Sequence, residues 1–132
     1  MKCFQKTTDL PFYDGILKNP DYHKRAKGLK ANIIEMSPKE YLRRCESMGA
    51  TLTDVDEKLV DSYIQRVRNG EMMPMPVLDY NRMEQEGRHR ALVAERLEIK
   101  QIPVLVVEKM SDDEWKDFMK THHPELYKRM DV

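Results

Sequence analysis

The run Ile102-Pro103-Val104-Leu105-Val106-Val107 is almost continuously apolar and rich in valine, which marks a strand buried on both faces. A strand of that kind needs helices or other strands against each side, so it constrains the whole architecture more than any other segment. The chain has 132 residues, enough for one domain around a single core and too few for two ordinary ones.

Upstream of that strand the text is regular from Lys30 onward. Residues Ala31 to Met36 read as a strand, and Ser37-Pro38-Lys39-Glu40 supplies an N-cap, a proline at the first helical position and a glutamate at the third. The helix predicted over Pro38 to Met48 turns Tyr41, Leu42, Cys45 and Met48 to one face, and Gly49 ends it. A second helix starts at Thr53 or Asp54, carries Asp56 and Glu57 in its first turn and stops at Asn69-Gly70. Its buried stripe is Leu59, Val60, Tyr63, Ile64 and Val67. Met75 to Tyr80 and Met83 to Glu86 read as two strands joined at Asn81-Arg82, a turn of hairpin length without the usual glycine.

Gly87 opens a third helix, Arg88 to Leu97, in which Ala91 and Ala94 permit close packing on a sheet. After the apolar strand, Ser111 caps a last helix through Asp112, Asp113 and Glu114, with Trp115, Phe118 and Met119 turned inward. The element order predicts a small α+β domain over residues 30–132, with a mixed β-sheet packed with helices. Residues 1–29 mix Pro11, Gly15, Pro20 and Gly28 with basic side chains and read as an irregular arm, with a short helix near Tyr22 to Lys27. The arm either packs on the domain or binds a protein partner.

The charges balance, 23 basic against 23 acidic, so the overall basic footprint of a protein that wraps DNA is missing, although a local basic patch is compatible with the count. No apolar run approaches the roughly 20 residues of a membrane span, and Met1 to Leu10 lacks the apolar core of a secretory signal. The expectation is a cytoplasmic protein. Cys3 and Cys45 have no ligand-type spacing, which argues against a structural zinc site; Cys45 reads as a small buried hydrophobe and Cys3 as part of a mobile end. His122-His123 cannot share a helical face and reads as a terminal loop, so no metal site is predicted.

The chemistry concentrates in Gly87-Arg88-His89-Arg90, where a strand hands over to a helix. The first amides of a helix lack intrahelical partners and carry partial positive charge, and a glycine before them lets a phosphate approach the backbone. Arg88 and Arg90 add guanidinium forks suited to phosphate, and His89 adds a group that titrates near neutrality. Basic residues are disfavoured at that end of a helix unless an anion compensates, which makes a phosphate or nucleotide the expected ligand.

Those residues, followed by the helix Ala91 to Leu97 and the strand Ile102-Pro103-Val104, resemble the ParB/sulfiredoxin superfamily, whose hallmark is a strand, a G-x-x-R turn, a helix and an I/V-P-V strand. The likeness extends upstream through the Asp56 to Tyr80 text and covers about residues 30–120. It implies a ParB-like nucleotide-binding domain that takes ATP, ADP or CTP, with Mg²⁺, through Gly87, Arg88, His89 and Arg90. It also implies that Lys58 helps to hold the nucleotide and that Glu35 acts as a general base or a Mg²⁺ ligand near the transferred phosphate. Hydrolysis or phosphoryl transfer to a small molecule is the implied reaction class. Arg88 stands where sulfiredoxins carry their catalytic cysteine, and an arginine cannot replace that thiol in sulfinic-acid reduction, so this is not a working sulfiredoxin. Arg88 also replaces the acidic residue of the ParB turn, and ParB's DNA-binding helices and dimerisation tail have no counterpart here, so a partitioning role is not expected. A DNA-binding or nuclease accessory protein of a phage or mobile element is the alternative.

Overall fold

The computed structural model describes residues 2–18, 28–50 and 55–129. They run β1 (Phe4–Gln5), α1 (Pro11–Lys18), β2 (Leu29–Met36), α2 (Pro38–Ser47), α3 (Glu57–Arg68), β3 (Met73–Pro74), β4 (Val77–Asp79), β5 (Glu84–Glu86), α4 (Arg88–Arg96), β6 (Ile102–Lys109), α5 (Asp112–His122) and α6 (Pro124–Arg129). The main sheet has the order β2-β6-β4-β5, and a separate parallel pair joins β1 to β3. In the main sheet β2 and β5 are antiparallel to their neighbours, while β4 and β6 are parallel. The chain is therefore an α+β fold with a mixed sheet, as its element order predicts.

Strand β6 is the one that the apolar run marked, and its residues alternate between two cores. Ile102, Val104 and Val106 join a cluster with Leu78, Tyr41, Leu42 and Cys45 of α2, Val60 and Val67 of α3, and Ala91, Val93 and Ala94 of α4. Leu105 and Val107 join a second cluster with Met75, Val77, Leu29 and the α1 residues Tyr13 and Ile16. Each of these large side chains contributes roughly 1.5–3 kcal/mol by leaving water.

The second cluster corrects the reading of residues 1–29 as an irregular arm. Pro11 begins an eight-residue helix whose Tyr13 and Ile16 lie three apart and cover the sheet, and Cys3 and Phe4 are buried in the first cluster. A helix this short, interrupted by Gly15, carries too few repeats for its period to stand out. The Tyr13 hydroxyl donates to Asp79 Oδ2 at 2.7 Å, fastening α1 to the sheet. The short helix expected near Tyr22 to Lys27 lies outside the described residues, as do Thr53 and Asp54.

Smaller differences have equally local causes. The strand expected over Met75 to Tyr80 is shorter, Val77–Asp79, and the Asn81-Arg82 turn closes without glycine because Asp79 Oδ1 accepts both of their amides, at 2.9 and 3.0 Å. Met83 takes the left-handed conformation there, at φ 53°. The terminal loop expected at His122-His123 is instead the end of α5, with His122 as its last residue and His123 as its C-cap, and α6 follows, with Pro124 at the position where a proline suits a helix start. Among the described residues no helix is long and apolar enough to cross a membrane.

Candidate functional site

Three of the helices begin with a side chain that satisfies an early amide. Ser37 Oγ accepts from Glu40 N at 3.1 Å in α2, and Asp56 Oδ1 accepts from Leu59 N at 3.0 Å in α3. Ser111 and Glu114 form a reciprocal capping box in α5. All three also carry acids in the first turn. Helix α4 differs on both counts, with Gly87 as N-cap, no capping side chain and no acid in its first turn. The positive end of α4 therefore meets its surroundings with amides and with Arg88, His89 and Arg90.

Gly87 has φ 113°, a left-handed value that disfavours other residues. A Cβ built on it would lie 2.9 Å from both Pro76 Cα and Arg90 Nη2. Close packing beneath the turn thus requires the glycine, apart from any ligand that approaches from outside.

The three basic residues point to different tasks. Arg90 is only 6 % exposed and grips Glu86 with both ends of its fork, Nη1 to Oε1 at 2.8 Å and Nη2 to Oε2 at 2.6 Å. Burial opposes its charge, but the hydrogen bonds and negative charge of Glu86 outweigh that effect and hold its pKa above the ordinary value. Its Nε is buried without a hydrogen-bond partner among the described residues. The expectation of an uncompensated basic cluster is corrected in this respect, because Glu86, four residues earlier, supplies the anion for Arg90.

Arg88 is half-buried and lies toward the end of α2, near enough for its charge to lower the pKa of the Cys45 thiol against the larger upward push of burial. His89 Nε2 accepts the Asp56 amide at 3.1 Å. This bond ties the first turn of α4 to the N-cap of α3, while Glu57 next to it pairs with Arg96 at the other end of α4, and Lys58 is exposed in the same first turn of α3. Tyr41 completes the support from α2, since its buried hydroxyl donates to Glu86 O at 2.9 Å.

Gly87, Arg88, His89 and Arg90 stand together at the start of α4, with Asp56 bonded to His89 and Lys58 two residues farther along α3, whereas Glu35 lies elsewhere. Glu35 sits in β2 opposite Pro103, whereas Gly87 follows β5 at the other edge of the sheet. Three strand spacings separate them, about 14 Å. Glu86, Tyr41, Pro76 and Asp56 are the supporting residues that sequence reasoning missed. The one signal available for them was the i, i+4 spacing of Glu86 and Arg90 across the strand–helix junction.

Among the described residues no three His, Cys, Asp or Glu side chains converge in a way that could hold a metal ion. Compared with protein-family models, with curated proteins and with solved structures, the chain matches none of them.

Proposed function

We propose that this protein binds the phosphate groups of a nucleoside di- or triphosphate at the start of α4. The observation that carries the reading is the contrast in helix starts. Where the other three have a capping side chain and first-turn acids, α4 has glycine, bare amides and basic residues. That end is arranged for a negative group supplied from outside. Arg88, His89 and Lys58 would contact the phosphates or the adjoining sugar, with the amides of the first turn as the central donors. Arg90 and Glu86 hold the turn in shape. Mg²⁺ fits as a companion of the phosphates, coordinated by their oxygens and by water, a usual arrangement for this ion. The resemblance to the ParB/sulfiredoxin superfamily supports the same site, and a cytoplasmic setting, where nucleotides are abundant, belongs to the reading.

Arg90→Ala is a poor test, since it would empty a buried position and leave Glu86 unpaired. Calorimetric titration of ATP, ADP, CTP and GTP, each with Mg²⁺, against wild type and Arg88→Ala is the better one. Saturable binding of one nucleotide is expected, at least about tenfold weaker in Arg88→Ala for the loss of a charge-assisted contact of roughly 1.5 kcal/mol, with the fold retained as judged by amide dispersion. Absence of saturable binding to all four nucleotides would overturn the proposal.

A further inference from the structure

A cavity of about 500 Å³ opens at the end of the sheet, between β1 and the adjoining ends of β2 and β6. Its apolar lining comes from Cys3, Phe4, Met72, Ile99 and Pro103, and its polar lining includes Lys2, Lys6 and Glu35. None of the turn residues Gly87 to Arg90 takes part. Ion pairs elsewhere are frequent: Lys30 is bonded to Glu114, Arg43 and Arg44 to Glu40, Arg66 to Glu71, and Arg96 to Glu57. In this cavity two lysines and a carboxylate share one lining, yet none of the three forms an ion pair among the described residues. Met72 is 39 % exposed, a large apolar surface held open at the rim.

We infer that this cavity is a second binding site, independent of the nucleotide reading, and that it takes a small organic anion with an apolar body. The volume falls within the range of about 300–1,000 Å³ usual for small-molecule sites. An apolar body would cover Phe4, Met72, Ile99 and Pro103, while its anionic end turns toward Lys2 and Lys6. Glu35 repels that end and so sets the orientation of the ligand. The two charge signs give the site opposite responses to substitution: removing positive charge weakens binding, and removing the Glu35 charge strengthens it. Surface charges interact through high dielectric, so each effect is modest, about three- to fivefold in affinity.

The test uses 8-anilinonaphthalene-1-sulfonate and N-phenyl-1-naphthylamine, which share an apolar body and differ in the sulfonate. Fluorescence titrations of the full chain would be paired with amide chemical-shift mapping. The expected result is saturable binding of the sulfonate, tighter than that of the neutral compound, with shifts at Lys6, Met72 and Ile99. Lys6→Glu is expected to weaken the sulfonate and Glu35→Gln to tighten it, and both substitutions to leave the neutral compound unaffected. Shifts confined to other surfaces, equal affinity for the two compounds, or no response to Lys6→Glu would each overturn the assignment. Retained amide dispersion in each variant separates lost binding from lost fold.

Discussion

Helix α5 begins with Ser111 and Glu114 bonding each other's amides and with Asp112 and Asp113 beside them, whereas α4 begins with Gly87 and three basic residues. Both helices follow a strand or sit beside one, and both face the same electrostatic problem of unpaired amides at a positive end. In α5 the solution is local and complete. In α4 the carboxylate bonded to the turn, Glu86, lies before the glycine and is engaged from behind by the buried fork of Arg90. Local caps stabilise a helix by closing its end; the α4 arrangement stabilises the turn while leaving its front amides without a capping side chain. The difference teaches that a helix start can be closed by its own first-turn side chains or braced from behind by a buried ion pair.

The sharpest way to break this comparison is Gly87→Ala. The new residue would have to adopt φ 113° and place its Cβ 2.9 Å from Pro76 Cα, so backbone as well as side chain must shift. A loss of about 2–5 kcal/mol is expected from the left-handed strain and overpacking together, read as a lowered urea midpoint. A midpoint within about 0.5 kcal/mol of wild type would mean that the turn is not held as described.

Glu86→Ala comes next. It leaves the Arg90 guanidinium buried without its partner, a situation that costs about 3–5 kcal/mol in a fully enclosed pair. The Glu86 side chain is 36 % exposed, so water can replace part of the lost contact and about 2 kcal/mol is the expected value. The control is Glu71→Ala, whose partner Arg66 is 57 % exposed; it should cost less than about 1 kcal/mol. Equal effects from the two substitutions would remove the distinction between a buried brace and a surface pair.

Ser111→Ala sharpens the other side, because it deletes one half of the capping box and should cost about 1 kcal/mol in thermal or urea unfolding. The smallest effect concerns pH. The hydrogen bond from Lys30, aided by the Ser111 amide, pulls the Glu114 carboxyl down from its ordinary 4.5 to about 2. A depressed acid stabilises the fold above its unfolded pKa and loses that contribution as pH falls through its folded pKa. Between pH 4.5 and 2 the unfolding midpoint of wild type should therefore drop more steeply than that of Glu114→Gln. Parallel slopes would show that the carboxylate contributes nothing to the α5 start.

The helices α2, α3, α4 and α5 and the strands β2 and β6 were legible in the text, because each carries either a capping residue with a periodic stripe or a run of β-branched residues. Ser37, Ser111, Gly87 and the Ile102 to Val107 run are local signals that hold largely without regard to neighbours. Helix α1 was hidden, since eight residues around Gly15 show no sustained period and become a helix only where Tyr13 and Ile16 find the second face of the sheet. At the candidate site, the glycine turn and its basic residues could be read directly. Their division of labour could not.

What the sequence determined by itself is the series of short-range choices: where α2, α4 and α5 start, which strand is buried on both faces, and where basic residues gather at a helix end. These depend on interactions within about four residues, which a linear text records. Only the tertiary structure decided that Arg90 is consumed by Glu86 under the turn, that His89 is bound to the start of α3, that Glu35 lies at the opposite sheet edge, and that α1 covers β6. Those outcomes depend on which distant residues share a buried space. There a charge must find a partner and an apolar face a cover, whatever the local pattern prefers.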